Sequence, residues 1–249
     1  MVNVTGISAI WQREILTFFR EKPRIVSAAI NPIFWLVTFG AGLGSTVSIA
    51  GINYQQFIFA GIIVQTVLFS SIFYGSYLVW DRRIDLLKAV LVTPLSRRSI
   101  FFGKVFSGVT FALIQTVIIL AFGFFIGINY TLASLMLVIL TVIFAAAALT
   151  AVGLTIGSLM TSPEGFQLIT TFVIFPLFFL SGALFPLENL PAYLSTLTAV
   201  NPVTYIVDVL RGLLIGIQYY GVIENVLIIG GFAFVANLVG IQAFKRMRS

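Results

Sequence analysis

Residues 80–104 read WDRRIDLLKAVLVTPLSRRSIFFGK and hold six of the chain's fourteen Lys and Arg residues: Arg82, Arg83, Lys88, Arg97, Arg98 and Lys104. Such a stretch cannot cross a bilayer, because one cation at mid-membrane already costs about 2.5–3.5 kcal/mol on insertion scales. On either side the chain is apolar for longer than the roughly 20 residues a helical span requires. The stretch is therefore a polar loop between two membrane spans. The whole composition agrees: of 249 residues 59% are hydrophobic and 9% charged, with a mean hydropathy of +1.10, where an ordinary soluble domain has about 25% charged residues.

Working outward from the loop, apolar segments fall at about 25–44, 55–79, 105–126, 134–160, 166–184 and 222–244. Six transmembrane helices are expected, in one all-α membrane domain covering 1–249. Asn31-Pro32 marks a kink near the start of the first span and Pro176 lies inside the fifth. Before the fourth-to-fifth junction closes, Ser162, Pro163 and Glu164 read as a helix start, with a capping side chain, a proline at the first position and an acid at the positive dipole end. The opening segment, 1–22, recurs in Ile7, Trp11, Ile15 and Phe18 at helical spacing with Gln12, Arg13, Thr17 and Arg20 between them. It reads as an amphipathic helix on the membrane surface, or as a segment packed on its own protein. It lacks the pattern of a cleavable signal peptide, so none is expected.

Orientation follows from the cations. Arg13, Arg20, Lys22 and Arg24 precede the first span, six lie in the loop, and Lys245, Arg246 and Arg248 follow the last. With six spans, thirteen of fourteen share one side, which should be the cytoplasm together with both termini. The exception, Arg211, lies in residues 185–220, an apolar region cut by Pro186, Pro191 and Pro202 into pieces too short to cross. Asn201 followed by Pro202 is a helix start. The run Pro191–Val200 supplies another short helix, giving a re-entrant hairpin at the outer face whose backbone is satisfied internally. Asp208 and Arg211 are three residues apart on one helix face, where they can pair.

His and Cys are both absent. This excludes disulfides, thiolate or imidazole metal sites and Ser-His or Cys-His catalysis. No catalytic or metal-binding residues are expected. The net charge of +6 reflects loops that fix topology rather than nucleic-acid binding. An aspartyl intramembrane protease would need two acids in facing spans, and a secondary transporter or channel would place ionisable groups near the midplane; the spans offer almost none.

Two segments resemble the transmembrane subunits of ABC-2-type transporters, the exporters that include daunorubicin-resistance, nodulation-factor and polysaccharide permeases. One is LLKAVLVTPLSRRSIFFGK, with Thr93, Pro94, Leu95, Ser96, Arg97, Arg98, Gly103 and Lys104. The other is FPLFFLSGALFPLENLPAYLSTLTAVNPVTYIVDVLRG, with Ser181-Gly182, Phe185-Pro186, Leu190-Pro191, Asn201-Pro202, Tyr205 and Arg211. The resemblance implies a dimer of this chain, working with two copies of a separate ATPase that holds the ATP and Mg2+. No G-x-x-x-x-G-K-[ST] phosphate cradle occurs in the chain, and no cofactor of its own is expected.

The resemblance also assigns roles. Residues 81–98 form a short helix with Leu86, Leu87, Val90 and Leu91 on one face and Asp85 and Lys88 outside it, ended by Pro94 near Thr93. Together with Arg97 and Arg98 it would be the coupling helix docked in the ATPase, although its cations would fix topology in any case. Asn201, Pro202, Tyr205, Asp208 and Arg211 would form an external gate, or a hairpin anchored at the lipid headgroups. Gln65, Gln115, Thr116, Asn31, Ser181 and Asn237 are the polar residues expected at helix contacts or along a path. The expected function is ATP-driven export of a hydrophobic or amphipathic small molecule, drug-like or antibiotic-like, with a lipid-linked oligosaccharide or polysaccharide as the alternative passenger.

Overall fold

The computed structural model describes residues 3–44, 47–49, 51–84 and 95–247. Helix α1 (Val4–Arg20) is started by Asn3, whose side chain accepts from Thr5 N at 3.0 Å. One residue separates it from α2 (Lys22–Trp35), which runs on into a π-helical stretch, Leu36–Ala41. The ladder thus widens just beyond Pro32 rather than at it, as a proline that removes one backbone donor allows. The uncharged linker that follows is not featureless. Ser48–Ile49 (β1) and Ile52–Asn53 (β2) pair antiparallel, so a small hairpin modifies the all-α expectation.

Helix α3 (Tyr54–Phe73) is apolar on every side, and such a helix is stable only when surrounded. It forms the central pillar, packed by α5 (Arg97–Gly123), α6 (Leu132–Leu159), α7 (Pro163–Phe179) and α9 (Pro202–Ile215). The apolar window of the α3 span is 83% buried, against 22% for α10 (Val222–Arg246), which lies at the periphery against α6. α3 breaks at Tyr74-Gly75 and resumes as α4 (Ser76–Arg83). The remaining helix, α8 (Ala192–Val200), precedes α9 and meets it at 87°.

Among the described residues four helical segments are long and apolar enough to cross a bilayer: Tyr54–Arg83, Arg97–Ile126, Leu132–Leu159 and Val222–Arg246. The first and fifth expected spans appear as shorter apolar helices, Ile30–Gly40 and Pro163–Phe179. At about 1.5 Å per residue, 17 residues of α7 rise only about 26 Å, somewhat less than a hydrocarbon core of about 30 Å. Its start is as expected: Ser162 accepts from Gly165 N at 3.1 Å, with Pro163 in the first turn.

The α3–α4 break sits directly on α6. A Cβ on Gly75 would collide with the carbonyl oxygen of Gly153, and one on Gly153 with that of Ile72. Backbone-to-backbone approach of this kind is how apolar helices gain dispersion contact where lipid removes any hydrophobic driving force. Gly153→Val should therefore cost about 1–3 kcal/mol or more, read as a lower melting temperature and lower monodisperse yield in detergent. Gly230→Ala on α10, where an added Cβ meets nothing within 4 Å, should leave both unchanged.

Candidate functional site

Two groups of charged side chains lie at the two ends of the α3–α4 pillar. At the cation-rich end Lys104, 1% exposed, donates from Nζ to Asp81 Oδ2 at 2.8 Å and to Glu14 Oε1 at 3.0 Å. Arg13 completes the group, 2.6 Å from Glu14 and 3.4 Å from Asp81. Two cations and two anions make it formally neutral. That neutrality permits the burial, since an uncompensated ammonium or carboxylate would cost several kcal/mol. Burial alone raises the Glu14 carboxyl, but Lys104 and Arg13 outweigh it and hold it below its ordinary value.

This cluster decides how α1 sits. Its buried stripe is Gly6, Ile10, Glu14 and Phe18, whereas Ile7, Trp11 and Ile15 of the expected stripe are half-buried flanks. The helix turns Glu14 inward because Lys104 needs a carboxylate, and it packs along α5, with Trp11 Nε1 donating to Thr110 Oγ1 at 3.0 Å. In the structure α1 packs on its own protein, along α5. Two further cations terminate helices. Arg82 donates to Ser158 O (3.0 Å) and Met160 O (2.7 Å) at the end of α6, and Arg97 to Lys245 O (3.1 Å) and Met247 O at the end of α10. Both meet carbonyls that a helix end leaves without partners. Arg98 is exposed. Asp85, Leu86, Leu87, Leu91 and Pro94 lie outside the described residues.

At the opposite end, Asn201 accepts from Val203 N at 3.0 Å and donates to Leu177 O at 2.8 Å, while Pro202 opens α9. Tyr205 Oη donates to Ala199 O at 2.7 Å, which ties α9 back across the corner to α8. Asp208 and Arg211 do not pair directly. The carboxylate accepts from Tyr219 N (2.7 Å), Tyr220 N (3.0 Å) and Asn225 Nδ2 (2.9 Å). Arg211 donates to Gly182 O at 2.8 Å and lays its guanidinium 3.9 Å over the Phe57 ring of α3. The expected pairing at three-residue spacing fails because nearby turns offer each charge better-placed backbone groups. Gly182 itself adopts φ 71°, a conformation glycine takes without steric cost. Asp208 and Arg211 nevertheless line one cavity of about 180 Å3, with Phe57, Pro186, Glu188 and Tyr219.

The expected polar residues do not converge. Asn237 and Ser181 bond carbonyls of their own segments, Ala233 O and Phe178 O. Gln65 and Thr116 are buried, Gln115 is half-buried and Asn31 is exposed. The residues missed in the sequence are Glu14 and Asp81. The signal for Glu14 was an acid four residues from both Ile10 and Phe18 on one stripe; that Lys104 lies inside a helix, as the eighth residue of α5, is a finding of the structure.

Residues 5–215 match the family described as ABC-2 type transporter. The chain belongs to that family. It is 33% identical over 219 residues to the ycf38 protein of Porphyra purpurea, covering 84% of this chain and 73% of the relative. It is 29% identical over 221 residues to the inner membrane transport permease YadH of Escherichia coli K12, covering 86% and 84%. Nodulation protein J of Rhizobium leguminosarum bv. viciae is 26% identical over 242 residues, covering 96% and 93%. The chain is thus a multi-pass ABC-2 membrane permease, and the ABC-2 match ends at Ile215, the last residue of α9, so it takes in both charged groups.

In this ABC-2 chain, Lys104→Met should leave Glu14 and Asp81 with Arg13 as their one cation, and the excess buried negative charge should destabilise by about 3–5 kcal/mol. Adding Glu14→Gln, which restores neutrality as an Arg13–Asp81 pair, should recover a large part of that loss, seen as detergent melting temperatures. Because the folded Glu14 carboxyl lies below its ordinary value of 4.5, its contribution is complete above that pH and is lost as pH falls through the folded value. The acid limb of a melting-temperature profile should therefore be shallower in Glu14→Gln than in the native chain.

Proposed function

We propose that this chain is the permease subunit of an ATP-driven exporter, working as a homodimer with two copies of a separate ATPase that carries ATP and Mg2+. The observation that carries this reading is the clamp around residues 85–94. Lys104, in the helix that follows the segment, donates both to Asp81, just before the segment, and to Glu14 of α1. A segment held at both roots transmits a push to everything its roots are bonded to. We assign to this segment the coupling to the ATPase, through Asp85, Leu86, Leu87, Leu91 and Pro94 together with Arg97 and Arg98.

In this reading the cation-rich end and both termini are cytoplasmic. α2 with its π-helical continuation and α7 complete six spans around the α8–α9 re-entrant hairpin. α7 buries Phe166, Thr170, Ile174 and Phe178 and leaves Leu168, Phe172 and Phe175 exposed. That aromatic face suits a second copy of the chain and a hydrophobic or amphipathic passenger moving out between the two. Asn201, Pro202, Tyr205, Asp208 and Arg211 hold the hairpin closed over the outer exit.

Coexpression with the ATPase tests both ends. Leu87→Asp and Leu91→Asp should lower copurification of the ATPase at least tenfold with membrane insertion intact; unchanged copurification and ATP turnover would reject the coupling role. Arg211→Ala should leave ATP hydrolysis in place while transport of a drug-like passenger into inverted vesicles is lost or leaks. Native transport by that variant would reduce the hairpin to an anchor.

A further inference from the structure

A second cavity, of about 490 Å3, opens at the cation-rich end between the last turns of α6 and α10. Arg82 and Arg246 line it with Thr155, Thr161 and Gln242, and no acidic residue is among its lining. Arg82 uses two donors on α6 carbonyls, and its buried Nε has no partner. A helix C-terminus carries about half a negative charge, so the full charge of Arg82 more than offsets it. Arg246 is exposed and has no hydrogen-bond or ion-pair partner among the described residues. The nearby acids are engaged elsewhere: Asp81 with Lys104, and Glu164 with Arg83 at 3.7 Å. The cavity therefore has a positive surplus with hydroxyl and amide groups around it.

Its walls distinguish a lipid from a free ion. Leu159 and Val239, also in the lining, are 67% and 49% exposed on the two helices that flank the opening. A headgroup phosphate seated between the arginines would have its acyl chains laid along that apolar flank. We propose that this cavity is a binding site for an anionic phospholipid, with Arg246 as the principal phosphate contact and Arg82 and Gln242 behind it. The inference rests on α6 and α10 being membrane spans, and not on the coupling or gating roles above.

The test uses the purified chain in neutral detergent, titrated with dioctanoyl phosphatidylglycerol, dioctanoyl phosphatidylcholine or inorganic phosphate, with bound molecules counted by native mass spectrometry and stability followed by melting. Phosphatidylglycerol should remain bound and raise the melting temperature, while phosphatidylcholine and phosphate at equal concentration should do neither. Arg246→Gln should weaken phosphatidylglycerol binding about fivefold. Ala243→Trp, which fills the cavity, should weaken it at least as much, and Leu91→Asp should not change it. Equal binding of phosphatidylcholine would overturn the proposal, as would phosphate alone matching the lipid, or phosphatidylglycerol binding undiminished in both Arg246→Gln and Ala243→Trp.

Discussion

Hydrocarbon offers no water to a stray backbone N–H or C=O, and this constraint governs where the charges of the chain go. Arg82 and Arg97 take the last carbonyls of α6 and α10. Asp208 takes the amides of Tyr219 and Tyr220 just ahead of α10, and Arg211 takes the Gly182 carbonyl in the turn after α7. Each sits where a helix stops or a turn dips toward the apolar interior. In a soluble protein most of these groups would be left to solvent. Here ionised side chains serve, because a charge-assisted hydrogen bond is roughly twice as strong as a neutral one.

That division explains what could be read from the sequence. Asn201-Pro202 and Ser162-Pro163 were legible because a cap acts within two or three residues: the atoms that decide it are all inside the motif. Four of the six expected spans were legible for the same reason, since length and composition settle them locally, while the first and fifth appear as shorter apolar helices. Lys104 was not, because its partners lie 90 and 23 residues away. Nothing within one turn of Lys104 announces them. The α1 stripe was misplaced by a rotation for that cause, as the pairing of Glu14 with Lys104 and Arg13 outweighed the hydrophobic preference of Ile7, Trp11 and Ile15.

Asp208 and Arg211 show the converse error. Three-residue spacing puts two charges on one face, and in an isolated helix that is enough to pair them. In the folded chain the loops at 182 and 219 bring backbone partners within 2.7–2.8 Å. The carboxylate accepts three hydrogen bonds without the arginine, and the guanidinium is held by the Gly182 carbonyl and the Phe57 ring, with its Nε left unpartnered. Local geometry gave the face correctly and the partners wrongly.

The two charged groups belong to one mechanical element. Asp81, at the end of α4, is bonded to Lys104; Phe57, in the first turn of α3, lies under Arg211. Between them the pillar is buried nearly throughout and interrupted once, at Tyr74-Gly75, where Gly153 of α6 fits against the break. A close-packed apolar rod resists bending along its length, so displacement concentrates at the interruption. If residues 85–94 couple to an ATPase as proposed, a push at Asp81 would meet its weakest point at Gly75 and would reach α9 where Phe57 of α3 lies beneath Arg211. That contact is an aromatic stack rather than an ion pair, and a stack tolerates sliding of the ring under the guanidinium, which a bidentate salt bridge with fixed geometry would oppose.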